Sequence, residues 1–191
     1  MDIQLINLTK SFDNKTILDK VSLRFAEGRI SCLMGASGRG KTTIANLLMG
    51  LIKPDYGKIV GIKGKTITAV FQEDRLIEHW DAYKNIRLVC DKSVSSEQIK
   101  QELNMLGIVD FKDKAVSSFS GGMRRRVALV RALIAAGDIV ILDEPFKGLD
   151  ESIKKQALLY VKQKAKGRTV IVITHDALDA QLLDADLIVL E

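Results

Sequence analysis

Residues 35–42 carry the clearest chemistry in the sequence. They read Gly-Ala-Ser-Gly-Arg-Gly-Lys-Thr and match the phosphate-loop pattern G-x-x-x-x-G-K-S/T in full. The glycines let the backbone curl until successive N–H groups point at phosphate oxygens. Lys41 can reach the β- and γ-phosphates of a nucleoside triphosphate, and the Thr42 hydroxyl can ligate Mg²⁺. The residues predicted to contact the nucleotide in this stretch are Gly35, Ala36, Ser37, Gly38, Arg39, Gly40, Lys41, Thr42 and Thr43.

The segments on either side supply the elements that a phosphate loop needs. Residues 29–34 form an apolar run typical of a buried strand, and residues 43–49 have the apolar spacing of a helix. The helix adds its free N-terminal N–H groups and the positive end of its dipole. The alternative is a glycine-rich turn with a solvated lysine, and the strand and helix flanks argue against it.

Polar residues also follow two further apolar runs. Residues 139–142 predict a buried parallel strand that ends in Asp143 and Glu144. Residues 169–173 predict a second such strand, which ends beside His175. Since ligands sit at the carboxyl ends of open parallel sheets, we expect Asp143 to hold Mg²⁺ and Glu144 to orient or deprotonate a water. His175 is a candidate contact for the γ-phosphate. A solvated acidic turn and a surface histidine are the alternatives.

A second potential anion site precedes residues 124–136, which have helical apolar spacing. Ser120, Gly121 and Gly122 lie where this helix begins, and its free N–H groups favour an anion. An ordinary N-cap serine is the alternative. The densest basic cluster of the chain, Arg124-Arg125-Arg126, is interpreted as charge beside this anion site.

The N-terminal segment shows strand-like alternation. Residues 3–8 and 16–25 are predicted strands, with Phe12 in the turn between them. In that turn the Phe12 ring either stacks on a purine base or packs against the sheet.

The middle of the chain changes in character. Residues 58–62 and 65–71 are predicted to form a hairpin around Gly64. Residues 74–118 lack strand-like runs and are predicted to form a helical lobe, in which Ser95 caps a helix over 95–106. Alternating strands and helices elsewhere predict a mostly parallel, doubly wound α/β core.

Composition narrows the class of protein. The 191 residues suit one domain, and the net charge of +5 is dispersed, so it gives no support for a nucleic-acid partner. No stretch of about 20 apolar residues could span a bilayer, and the N-terminus lacks the pattern of a signal peptide. Cys32 and Cys90 do not have the spacing of a metal or disulfide framework. These features predict a cytoplasmic, reducing setting.

The ordered set of motifs resembles the ATPase subunits of ABC transporters over essentially the whole chain. It consists of the phosphate loop, Gln72, Ser120-Gly121-Gly122, residues 139–144, the turn ending in Asp150, and His175. The resemblance implies one domain, 1–191. A P-loop NTPase core with an N-terminal antiparallel β subdomain would cover about 1–73 and 119–191, with a helical subdomain inserted at about 74–118.

The same resemblance implies ATP and Mg²⁺ as cofactors and assigns the site residues. Phe12 would stack on the base, Thr42, Gln72 and Asp143 would hold the metal, and Gln72, Glu144 and His175 would act in hydrolysis. Ser120, Gly121 and Gly122 would cover the nucleotide of a second copy in a head-to-tail dimer. The other implied partners are transmembrane permease subunits, at the cytoplasmic face of the cell membrane, and an extracytoplasmic substrate-binding protein; nucleic acid is not implied.

Two positions depart from the commonest form of these motifs. Phe12 stands where tyrosine is usual, and Met123 stands where glutamine is commoner, so an amide contact to the partner's nucleotide is lost. Met123 and residues 71–76 resemble the importers of nitrate, sulfonates and taurine. We further expect the permease to dock in a groove beside Gln72, with Trp80 either as an interface anchor or packed inside the helical lobe.

Two other classes share the phosphate loop. DNA-repair and chromosome ATPases carry a long coiled coil or zinc modules, for which the interval between Gln72 and Ser120 is too short. A small-molecule kinase would leave the Ser-Gly-Gly motif and Glu144 without a role. The sequence therefore favours a transport ATPase.

Overall fold

A computed structural model of the chain describes residues 1–109, 111 and 113–190. Residues 110 and 112 of the predicted helical subdomain, and residue 191 at the end of the predicted domain, lie outside the described residues. No helix in the described part is long and apolar enough to cross a membrane.

Eight strands and six helices organise the described residues. The strands are β1 (Ile3–Phe12), β2 (Lys15–Phe25), β3 (Ile30–Met34), β4 (Tyr56–Val60), β5 (Ile67–Val70), β6 (Ile139–Asp143), β7 (Thr169–Ile173) and β8 (Asp186–Val189). The helices are α1 (Lys41–Leu48), α2 (Ala82–Arg87), α3 (Ser96–Met105), α4 (Gly121–Ile134), α5 (Glu151–Lys164) and α6 (Ala177–Leu183), with a 3₁₀ turn at Val116–Ser118.

The central sheet is parallel and has the strand order β5-β6-β7-β3-β8. Strands β6 and β7 are buried along their whole length. Alternate residues of a strand face opposite sides of a sheet. Val140 and Leu142 accordingly join the core cluster that contains α4 and α5, whereas Ile139 and Ile141 join the cluster that contains α1 and β1. Both faces of the sheet are therefore covered, and only its edges and strand ends are open to ligands.

A smaller antiparallel sheet has the order β2-β1-β4 and packs on the α1 side of the core. The predicted hairpin around Gly64 is wrong, because β4 and β5 belong to different sheets. Ile59 of β4 pairs with Leu5 of β1, and Ala69 of β5 pairs with Ile141 of β6. Periodicity identifies a strand from its own residues, but the partner of that strand depends on distant segments.

The sequence predicted Phe12 in the turn after β1, but Phe12 is the last residue of that strand. The turn consists of Asp13 and Asn14, which both have positive φ, at 47° and 63°. Asp and Asn tolerate this left-handed conformation better than most residues. The turn brings Phe12 to the end of β1, with 44% of its surface exposed.

Three helices, α2, α3 and α4, separate β5 from β6 along the chain. The predicted cap of α3 is confirmed, because the Ser95 side chain accepts from the Gln98 N–H while the Gln98 side chain accepts from the Ser95 N–H. Ile99 and Leu103 are fully buried. This reciprocal cap fixes where α3 begins and therefore which of its faces packs inward.

Candidate nucleotide-binding site

The phosphate loop joins β3 to α1, as its sequence predicts. Gly35 has φ +154° and Gly40 has φ +92°. A Cβ at Gly35 would lie 2.5 Å from the Leu190 carbonyl oxygen, and a Cβ at Gly40 would lie 2.7 Å from Leu18 Cδ2. Both positions therefore combine a conformation that side chains rarely adopt with a lack of space for one.

Lys41 begins α1 and its side chain folds back over the loop. Its Nζ donates to the carbonyl oxygens of Gly35, at 2.8 Å, and of Ala36, at 2.9 Å. Arg39 also contacts Ala36, through a 3.4 Å backbone hydrogen bond. The ammonium group is thus held at the mouth of the loop, where an arriving phosphate would exchange with the two carbonyls.

Thr42 and Asp143 meet at the carboxyl end of β6. The Thr42 hydroxyl donates to Asp143 Oδ2 at 2.8 Å, although the two residues are 101 positions apart. Asp143 is buried, with 4% of its surface exposed. Burial raises the pKa of Asp143, the Thr42 hydrogen bond opposes this shift, and the neighbouring Glu144 charge adds to it. A carboxylate that is poorly solvated in this way would be relieved by a cation.

This pair of oxygen donors fits Mg²⁺. Magnesium in nucleotide sites takes one or two protein oxygens and completes its octahedron with phosphate oxygens and water. Among the described residues, no group of three or more His, Cys, Asp or Glu side chains is placed to hold a metal ion. The pair of Thr42 and Asp143 therefore suits a metal that arrives with the nucleotide.

Glu144 and His175 lie at the ends of neighbouring strands. His175 Nδ1 is 3.1 and 3.2 Å from the two carboxylate oxygens of Glu144. The Glu144 side chain is 19% exposed and that of His175 is 71% exposed. Glu144 has φ +51°, which is uncommon outside glycine, and its N–H donates to the Ile173 carbonyl oxygen. This backbone hydrogen bond to β7 fixes the position of Glu144 at the end of the sheet.

One cavity of about 370 Å³ brings most of the predicted nucleotide contacts together. It is lined by Phe12, Ile17, Ser37, Gly38, Gly40, Lys41, Thr42, Thr43, Gln72, Asp143, Glu144 and Ile173. Gly35, Ala36 and Arg39 do not line it, and His175 borders a neighbouring pocket that also includes Glu144. Segments that are far apart in the sequence therefore converge on one space beside the phosphate loop.

A second groove, of about 630 Å³, adjoins this cavity. Thr42, Gln72 and Asp143 line both spaces. The groove runs past residues 71–75 to Gly121 and Gly122 at the start of α4. Gln72 thus stands between the phosphate site and a surface groove.

The predicted second anion site lies outside the nucleotide cavity. Ser120 is the N-cap of α4, and its side chain accepts from the Met123 N–H at 3.2 Å. Neither Ser120 nor the two glycines after it line the cavity beside Lys41. In a single chain the two glycines therefore reach the adjoining groove but not the nucleotide cavity.

The structure places two further features of these surroundings. Within residues 71–83 only 71–75 line the groove beside Gln72, so half-buried Trp80 does not line it, and its role as an interface anchor stays a prediction. The arginine cluster is also not free charge for an anion. The Arg125 side chain is only 9% exposed and donates to the Phe71 and Gln72 carbonyl oxygens. Sequence shows charge but not the direction in which a buried guanidinium points.

Sequence reasoning missed the polar network behind His175. Lys154 of α5 contacts Asp176 at 2.5 Å and Asp179 at 2.6 Å, and the Thr174 hydroxyl donates to Asp179 at 2.6 Å. The hydrogen bond from Lys154 lowers the pKa of Asp176, so this carboxylate stays charged. The network anchors the segment that carries His175 to α5. No short sequence pattern marks it, because Lys154 lies on another element.

Comparison with known proteins identifies the family to which the chain is similar. The family model described as ABC transporter matches residues 18–147. The spermidine/putrescine import ATP-binding protein PotA of Spiroplasma citri is 34% identical over 98% of this chain and 58% of its own length. The Fe(3+) ions import ATP-binding protein FbpC of Escherichia coli O157:H7 is 33% identical over 93% of this chain and 55% of its own length. The chain thus spans about half the length of these curated relatives.

Solved structures match as well. A dimeric, post-hydrolysis ATP-binding cassette bound to ADP and Pi has a TM-score of 0.86 and 27% identity, covering 99% of this chain and 94% of its own. A dimeric bacterial ABC transporter cassette has a TM-score of 0.83 and 28% identity, covering 98% of this chain and 94% of its own. The predicted α/β phosphate-loop NTPase fold is thereby confirmed.

Proposed function

This chain belongs to the ABC transporter family and carries its ATPase cassette, and from that premise we propose that it hydrolyses ATP to power a separate membrane permease. The observation that carries this proposal is the convergence of Lys41, Thr42, Asp143 and Glu144 on one cavity. A kinase of small molecules would have no use for the Ser120-Gly121-Gly122 motif, and the matched relatives bear the names of importers.

The phosphate side of the site follows from the loop. In this proposal the Lys41 ammonium leaves its two carbonyl partners for the β- and γ-phosphates, and the loop N–H groups bind the same oxygens. Phe12, which is 44% exposed at the cavity edge, stacks on the adenine. Ile17 of β2 lines the cavity beside it and offers an apolar neighbour for the base.

Glu144 acts on the attacking water. Its carboxylate accepts the proton of the water as the oxygen attacks the γ-phosphorus, and the bond from this phosphorus to the β,γ-bridging oxygen breaks, so that ADP leaves. His175 steadies the carboxylate and the γ-phosphate. Gln72 orients the water and, with Thr42 and Asp143, would hold Mg²⁺. When bound with ATP, Mg²⁺ would neutralise charge on the phosphate oxygens.

A second copy of the chain completes each site. Ser120, Gly121 and Gly122 lie outside the cavity of their own chain, and in the proposed head-to-tail dimer they cover the ATP of the partner. Their position at the N-terminus of α4 favours the negative γ-phosphate. The two dimeric cassettes of similar fold support this arrangement.

Dilution tests the dimer and the activity together. Specific ATPase activity should rise with protein concentration and then level off, in step with the dimer fraction measured by analytical ultracentrifugation under the same Mg·ATP conditions. Activity per molecule that stays constant at dilutions where only monomer is present would overturn the proposed dimeric mechanism. Absence of hydrolysis at any concentration would overturn the ATPase proposal itself.

The permease partner is proposed from the groove beside Gln72. Residues 71–75 line this groove, and Gln72 also lines the nucleotide cavity, so a segment docked there would contact the site directly. We propose that the chain sits at the cytoplasmic face of the membrane through this contact and serves a small-solute importer with a substrate-binding protein. Vesicles that hold the permease should bind the chain, and empty vesicles should not.

The branch of importers is proposed from local motifs. Met123 in the loop after Ser120-Gly121-Gly122, together with residues 71–76, favours the nitrate, sulfonate and taurine importers. The relatives named above are importers of polyamines and ferric ions, at 33–34% identity. Transport assays with sulfonates, nitrate, spermidine and ferric ions would decide between these substrates.

A further inference from the structure

Arg125 ties the start of α4 to the loop that contains Gln72. Its Nη1 donates to the Phe71 carbonyl oxygen at 2.7 Å, and its Nη2 donates to the Gln72 carbonyl oxygen at 2.5 Å. Its Nε lies 3.2 Å from Asp74 Oδ1 as an ion pair. A planar guanidinium can serve two successive carbonyls and a carboxylate at once, which a lysine ammonium cannot do with the same geometry.

Arg131 repeats this contact two turns further along α4. Its Nη2 donates to the Asp74 carbonyl oxygen at 3.0 Å, and its Nη1 donates to the Arg75 carbonyl oxygen at 2.8 Å. Burial lowers the pKa of Arg131, and the Asp74 charge opposes the shift. Together Arg125 and Arg131, here called the arginine clasp, bind four of the five residues in the loop 71–75.

The clasp joins two regions with separate roles. Gln72 lines the nucleotide cavity of its own chain, and Ser120 caps the helix on which both arginines stand. An α-helix is stiff over this length, so a shift of residues 71–75 must be passed to residues 120–122 as long as the clasp holds. Of the two arginines, Arg125 lies nearer to Gln72 and to Ser120, with only one helical turn between it and Gly121.

We propose that Arg125 is a positioning residue that makes the Gln72 loop and the Ser120–Gly122 loop move as one unit. Binding of ATP at one site then adjusts the Ser120–Gly122 loop that the same subunit lends to its partner. This inference rests on the proposed head-to-tail dimer, and it gives the arginine cluster a role that neither anion binding nor general charge supplies.

Hydrogen–deuterium exchange of dilute monomer tests the transmission directly. Mg·ATP should slow exchange in wild type at residues 71–75 and also at residues 120–123, although no second chain covers the latter. R125K should keep the response at 71–75 and lose it at 120–123. R168K is the matched control, because Arg168 also donates to backbone carbonyls of Leu133 and Gly137, at the opposite end of α4.

Steady-state kinetics of the dimer give a second measurement. Wild type should show a Hill coefficient for ATP approaching 2, and R125K should fall to about 1. In the same assay kcat should also drop, because the Ser120–Gly122 loop is no longer held in position over the ATP of the partner. R168K should resemble wild type in both. If R125K does not fold, R131K tests the same coupling from the other half of the clasp.

The outcomes separate the two proposals. Transmission to residues 120–123 that survives in R125K, or that is lost equally in R168K, would overturn the clasp. A wild-type monomer that shows no change at 120–123 would overturn it as well. A wild type that binds Mg·ATP and transmits the change but never dimerises would overturn the dimer and leave the clasp standing.

Discussion

Two helix N-termini in this chain have the composition of an anion site, but their surroundings differ. The N-terminus of α1 follows the phosphate loop and faces Asp143 and Glu144 across a cavity of about 370 Å³. The N-terminus of α4 follows Ser120, whose side chain caps its own helix, and it lies outside that cavity. The first end has Lys41, Asp143 and Glu144 around it, whereas the hydroxyl at the second end is taken up by its own helix.

The difference teaches how the catalytic parts are divided. The end of β6 and the phosphate loop are adjacent because β3 and β6 both flank β7 in the parallel sheet, so their carboxyl ends meet. Helix α4 packs against the opposite core cluster, and its first residues line the adjoining groove and not the nucleotide cavity itself. One chain therefore gathers the groups proposed to bind phosphate and activate water, and in the proposed dimer a second chain would supply the cover.

The largest effect should come from a substitution at the N-terminus of α1, where Lys41, Asp143 and Glu144 share one cavity. Glu144→Gln should lower kcat by about 10²–10⁴-fold, because the amide cannot accept the proton of the water. ATP binding should persist, and an ATP-bound dimer should accumulate in size-exclusion chromatography. Glu151→Gln, an exposed carboxylate in the first turn of α5, is the matched control and should hydrolyse normally. Near-normal hydrolysis by Glu144→Gln would make His175 the candidate base.

The division between the two ends can be tested by complementation. Lys41→Ala should weaken ATP binding about tenfold or more, because a charged contact to phosphate is lost. Ser120→Arg should bind ATP normally but fail to turn it over. A mixture of the two variants should regain activity, since a mixed dimer joins one intact phosphate loop with one intact Ser120 loop. A mixture as inactive as its parents would mean that both ends serve the same chain's nucleotide.

The smallest effect concerns stability. Burial raises the pKa of Asp143 above its ordinary value of 3.8, so its ionised form opposes folding at neutral pH. Asp143→Asn should therefore raise the Tm of the nucleotide-free protein slightly, because the variant carries no buried charge at this position. The same variant should lose Mg²⁺-dependent ATP binding in calorimetry.

The stability difference between Asp143→Asn and wild type should depend on pH. A raised carboxyl pKa costs stability as the pH rises through it, and the cost vanishes below the ordinary value. The advantage of Asp143→Asn should thus be full at neutral pH and should shrink as the pH falls towards 3.8. An Asn variant that is less stable than wild type at neutral pH would show that the Thr42–Asp143 hydrogen bond outweighs the burial of the charge.

The sequence by itself determined the local parts of this cassette. The phosphate loop, the acids after β6 and the cap of α3 at Ser95 are each specified within a few residues, because glycine conformation, strand burial and helix capping are local. The family was also readable from the order of these motifs, and the match over residues 18–147 confirms it.

Only the tertiary structure decided which segments meet. It paired β4 with β1 and β5 with β6, where alternation alone predicted a hairpin. It turned Arg125 inwards onto the carbonyls of the Gln72 loop and left Trp80 outside the groove beside it. It also separated Ser120 from the phosphate loop. Each of these depends on the packing of residues distant in sequence, since a strand, a guanidinium or a helix end takes the partner that the whole core presents to it.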